Sequence, residues 1–147
     1  MLKSLFRGIT AIILSFCVTL IPVFAVEQSA NSSSTPFSSE YLARCSISLS
    51  SGGSGKVSVS FTVSAKSSMD KLGAQSIVIE QNTGNGWRTY KTYTGTSTNG
   101  FYDYDAILYG HSFSFSATSG VSYRAVLTAY AQNSSGSETD TAISDPF

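Results

Sequence analysis

Few residues in this chain are equipped for chemistry. His111 is the only histidine, and Cys17 and Cys45 are the only cysteines. Asp103 and Asp105 lie two apart in NGFYDYDAILYGHSF, residues 99–113, among Phe101, Tyr102, Tyr104, Tyr109 and Phe113. Nucleophilic catalysis needs a nucleophile beside a base that a third group orients. A single histidine, no G-x-S-x-G turn and serines scattered over alternating positions do not fill those roles. The chain is therefore not expected to be an enzyme. Two carboxylates hydrolyse a glycoside only from either side of a sugar, at least about 5 Å apart. Asp103 and Asp105 on a strand would face the same side. Calcium takes roughly six to eight oxygens. Asn99, Asp103 and Asp105 offer about half of these with backbone help, in a segment without EF-hand spacing. Both acids are read as solvated residues that keep the segment soluble, and no metal or cofactor is expected.

The rings carry more information. Beside Phe113, Phe115 and Tyr123 there remain Trp87, Tyr90, Tyr93, Phe101, Tyr102, Tyr104 and Tyr109, too many for one inner face; Trp87, Tyr90, Tyr102 and Tyr104 are the ones expected outside. Tyr and Trp suit wet contact surfaces because one end is apolar and the other polar. These four are the candidate ligand-binding residues, forming an exposed aromatic face for a glycan or a cell-surface protein. The alternative is a structural envelope protein whose rings only pack.

Composition narrows the field. Charged residues are 12% of the 147, and the formal net charge is zero. No basic stripe exists on which a nucleic-acid site could be built. The N-terminus reads as a separate object. MLKSLFRG carries Lys3 and Arg7 without an acid, ITAIILSFCVTLIPV is apolar, and Val23 and Ala25 are small residues before Val26. This is the order of a secretory signal peptide, helical over 4–24 and cleaved after Ala25. A membrane anchor is the competing reading, since Ile9 to Val26 is about long enough to span. A lipoprotein through Cys17 is a third, with Phe16 where the lipobox has a small residue. Cleavage predicts a secreted protein that meets the membrane only through its signal. Loss of Lys3 and Arg7 from nine basic residues leaves seven against nine acidic ones, a charge of −2. It also leaves Cys45 without an internal partner, so stability must come from burial.

Residues 26–40 are Ser-rich and read as a flexible leader. From Tyr41 to Phe147 apolar residues recur at every second position, the mark of half-buried strands. Cys45, Ile47 and Leu49 share one face, and Cys45 is expected to be buried as a small hydrophobe; an intermolecular disulfide is the alternative. The expected core is Val57, Val59, Phe61, Val63, Ile77, Ile79, Phe113, Phe115, Tyr123 and Leu127. Residues 66–74 read as a loop or single helical turn that folds Met69 and Leu72 back onto that core. Residues 99–113 read as an irregular crossing between sheets that leads into a core strand, with His111 exposed. A last strand is expected around Ile143. Seven or eight short strands separated by turns make an all-β, antiparallel two-sheet sandwich.

SGVSYRAVLTAYAQNSSGSE resembles the F strand, F–G loop and G strand entry of fibronectin type III and related immunoglobulin-like modules. SIVIEQNTGNGWRTY is similar to their C–C′ hairpin. The resemblance implies a tyrosine corner at Tyr123, whose hydroxyl would bond to backbone upstream. It spans about residues 45–145 and departs from many such modules in lacking a Trp on the second strand. The chain as a whole also resembles small secreted proteins of Gram-positive bacteria. Mass spectrometry of secreted material is expected to show an N-terminus at Val26. Intact chain retained in the membrane would favour the anchor.

Overall fold

The computed structural model describes residues 39–147. The expected signal segment and most of the expected Ser-rich leader lie outside the described residues. Eight strands follow one another: β1 (Leu42–Gly53), β2 (Lys56–Met69), β3 (Lys71–Asn82), β4 (Trp87–Thr94), β5 (Tyr102–Asp103), β6 (Ala106–Ser116), β7 (Ser122–Asn133) and β8 (Gly136–Ile143). No helix occurs among the described residues. One sheet has the order β1-β2-β6 and the other β4-β3-β7-β8, with β5 added to β3. All pairings are antiparallel. The two sheets bury their facing sides against each other.

Alternation decides which residues face inward, because successive strand residues point to opposite faces. Val57, Val59, Phe61 and Val63 of β2 are buried, as are Ile47 and Leu49 of β1. From the other sheet come Ile77, Ile79, Tyr123, Ala125, Leu127 and Ala129. Each large side chain fully removed from water contributes roughly 1.5–3 kcal/mol. Every member of this core lies between Leu42 and Ala142.

Three expectations are corrected. Residues 66–74 are neither a loop nor a helical turn: β2 runs to Met69 and β3 starts at Lys71, with Asp70 between. Met69 pairs with Ala106 and Leu72 with Ala131, so tertiary pairing imposes the strand on a sequence of weak propensity. Phe113 is half-buried rather than core, because β6 is a sheet edge; the Tyr93 and Phe101 rings pack against it there. His111 is half-buried rather than exposed, with its ring against Phe61 and Phe101. The last strand lies where expected, ending at Ile143, with Ala142 inward and Ile143 outward.

A carboxylate fastens the start of β1. Glu138 accepts from the Ser39 hydroxyl at 2.6 Å and from the backbone N–H of Tyr41 at 2.8 Å, Leu42 at 3.1 Å and Glu40 at 3.3 Å. Burial alone would raise its pKa, but these donors outweigh burial and hold it below the ordinary 4.5. A carboxylate with a lowered folded pKa stabilises the fold above its unfolded value, and the contribution disappears as pH falls through the folded value. Glu138→Gln is expected to cost about 1 kcal/mol in urea unfolding at neutral pH, solvent at the rim moderating the charged hydrogen bonds. The difference from wild type should shrink as pH drops below about 4. A gap that persists at low pH would contradict the role of the charge.

Candidate functional site

Two glycines set the geometry of the aromatic segment. Gly73 has φ +153°, and a Cβ there would lie 2.0 Å from the Phe101 carbonyl oxygen. The bare backbone lets β5 dock on β3, where Ala74 N–H donates to that same oxygen at 2.8 Å. At Gly95 a Cβ would lie 2.2 Å from the Ala74 oxygen and 2.7 Å from the Tyr102 ring. Between these points Asn99 organises the turn. Its Oδ1 accepts from Thr96 and Phe101 N–H, and its Nδ2 donates to the Thr94 carbonyl. The Tyr109 hydroxyl donates to the Gly100 carbonyl at 2.5 Å.

Outside the sheet this construction assembles a cluster. Tyr102 and Tyr130 both lie opposite Gly73, one on each side. Their ring centroids are 6.0 Å apart at 75°. The Lys71 ammonium stands 3.9 Å from the Tyr102 centroid and 5.5 Å from that of Tyr130. Such cation–ring contacts contribute about 0.5–1 kcal/mol at exposed sites. The Tyr130 hydroxyl donates to Gln132 Oε1 at 2.9 Å. Burial raises the Tyr102 pKa, and the neighbouring Tyr130 and Tyr104 phenols raise it further. Its hydroxyl therefore stays protonated, a hydrogen-bond donor, at any physiological pH. Tyr104 is half exposed.

The four rings singled out from sequence do not form one face. Tyr102 and Tyr104 belong to this cluster. Tyr90 turns inward against Phe115 and Tyr123, and its hydroxyl donates to the Ser116 carbonyl. Trp87 pairs with Asn82, nine residues along β3 from Gly73, which is about 30 Å of strand. There it stacks under Arg124, whose guanidinium centre is 4.5 Å from the ring and whose Nε bonds Glu80 at 2.6 Å. Tyr130, Lys71 and Gln132 were not singled out. The available signal was their outward place in the alternation of β3 and β7.

The other candidates have structural surroundings. Asp103 Oδ1 accepts from Tyr104 N–H, and Asp105 occupies a left-handed turn with φ +53°. Among the described residues no group of three or more His, Cys, Asp and Glu side chains could hold a metal ion. His111 makes no side-chain hydrogen bond to a serine or carboxylate among the described residues. An open pocket of about 340 Å³ lies at the Trp87 end, between the β1–β2 and β6–β7 turns, with Lys56, Thr118 and Tyr123 in its lining. Thr118 N–H donates to the Tyr123 hydroxyl at 3.0 Å.

Cys45 is buried, and its thiol points at Asp140 Oδ2, 3.4 Å away. Burial first, then the Asp140 charge and hydrogen bond, push its pKa up to about 12. The thiolate is the reactive form, so Cys45 is expected to react with a thiol reagent about a thousandfold more slowly in the folded protein than in denaturant. A covalent dimer on a non-reducing gel, lost with reductant, would contradict this. No protein-family model matches the chain, and no curated protein matches it.

Proposed function

We propose that this protein is an exported, non-enzymatic recognition module of the fibronectin type III kind that binds a cell-surface glycan through Tyr102, Tyr104 and Tyr130. The strand order β1-β2-β6 against β4-β3-β7-β8 supports the type, as does the backbone bond to the Tyr123 hydroxyl. The N-terminal sequence supports export, with cleavage after Ala25. The observation that carries the reading is the pair of phenols, Tyr102 and Tyr130, around Lys71, with the Tyr104 phenol near enough to Tyr102 to raise its pKa. A sugar presents an apolar C–H face to a ring and hydroxyls to polar neighbours. Tyr130 and Tyr104 would supply the rings. Lys71, Gln132 and the protonated phenols would supply donors and acceptors.

Trp87 and Arg124 favour a second reading, a protein partner, since these residue types dominate protein–protein hot spots. A structural envelope protein would bind through neither cluster. The test is a glycan array of the chain from Val26, followed by titration of the strongest ligand. Tyr130→Ala and Tyr104→Ala are each expected to weaken binding about tenfold, and Trp87→Ala to leave it unchanged. Binding that survives both tyrosine substitutions with the fold intact rejects the site. No glycan bound, but a cell-surface protein captured and lost with Trp87→Ala, establishes the second reading.

A further inference from the structure

Four long strands bound the two sheets, and three of them carry features that stop another strand from adding. Natural edges are protected by bulges, by charge and by acids turned inward. β1 has register shifts at Leu42/Arg44 and Ser51/Gly53, and it carries Arg44. β4 has a register shift opposite Ile79/Glu80 and carries Arg88 and Lys91. β8 turns Glu138 and Asp140 toward β1. β6 has none of these between Leu108 and Ser116; the one register shift in its pairing lies beyond Leu108, where β2 bulges between Ser64 and Met69. Its partners on β2 run unbroken from Ser116 to Leu108, and no acid, Lys, Arg or Pro occurs from Ala106 to Ser116. Its far side pairs with no strand among the described residues. Ile107 and Leu108, on this strand, are 55% and 61% exposed.

We propose that β6 pairs with β6 of a second copy, antiparallel across a two-fold axis at His111, so that two three-stranded sheets become one of six strands. A two-fold contact must be self-complementary, and this strand is. Residues equidistant from His111 have equal parity, so both copies keep their core faces on one side. Tyr109 then lies opposite Phe113 of the second copy, Ile107 opposite Phe115, and Leu108 opposite Ser114. Charge agrees with the antiparallel sense. Asp103 and Asp105 precede β6, while Lys56 lies beside its far end, opposite Ser116. Pairing brings the acidic end of each strand next to the Lys56 end of the other, two strand spacings or about 10 Å across. None of the glycan-site residues lies on β6, so this pairing is independent of that reading.

The test uses the chain from Val26, which contains all eight strands and the whole core. Sedimentation equilibrium is expected to show mass rising from monomer to dimer with concentration. Hydrogen exchange should show β6 amides gaining protection over the same range. Ser112→Lys with Ser114→Lys places like charges near the axis on exposed positions and is expected to weaken the dimer about tenfold or more, with circular dichroism unchanged. Thr139→Lys with Thr141→Lys on β8 should leave it intact. Monomer throughout, a dimer indifferent to the β6 lysines, or β6 protection independent of concentration would each overturn the proposal. The last result would mean that the edge is covered within one chain.

Discussion

One missing methyl group governs the aromatic end of the molecule. The Phe101 carbonyl fills the space a side chain would take at Gly73 and accepts from Ala74 N–H there. Consecutive strand residues point to opposite faces, so fixing this backbone fixes two side chains at once. The Phe101 ring goes inward, 5.8 Å from Phe61 and 5.5 Å from Phe113. Tyr102 goes outward beneath Lys71. The chain then turns at Asp105, the left-handed residue, and crosses into the other sheet as β6. Closure of the core and exposure of the phenols are two results of a single close approach.

Charge is scarce in this protein, and the described acids nearest the core are fully engaged. Glu138 accepts from the backbone at the start of β1, and Asp140 from the Cys45 thiol. Glu80 holds Arg124, which covers Trp87. The outer side of the three-stranded sheet carries hydroxyls instead: Ser48 pairs across to Ser60 and Ser60 to Ser112, with a 2.7 Å bond between the last two. Arg44, Lys56 and Lys66 are the charges on that face, near its ends rather than its middle. At the proposed glycan site, recognition would rest on shape, ring contact and local hydrogen bonds around Lys71.

Much of the fold was legible because alternation is a local property. Val57 to Val63 declare a strand and its inner face in consecutive residues, and nine of the ten expected core residues are buried. Phe113 escaped the rule because burial at a sheet edge depends on what closes the flank, which local pattern does not encode. Residues 66–74 escaped it because their strands exist through partners distant in sequence, Ala106 and Ala131. Ile143 and Ala142 show a third limit. Both are apolar neighbours, and the register with Val126 and Leu127 decides which of them is inside.

The candidate site was half legible for the same reason. Tyr102 and Tyr104 stand in an aromatic run that invites notice, but Tyr130 meets Tyr102 only because β5 and β7 share Gly73 as a partner. The two ring clusters also differ in what a ligand would have to disturb. At Trp87 the ring lies under Arg124, and displacing that guanidinium would leave the partly buried Glu80 carboxylate unpaired, a cost well above that of an exposed pair. At Tyr102 the covering group is Lys71, which has no carboxylate partner among the described residues and loses only a contact of about 0.5–1 kcal/mol if it moves. Its ammonium can then turn to an incoming hydroxyl. The phenol cluster is the aromatic surface that can open to a ligand without breaking an ion pair.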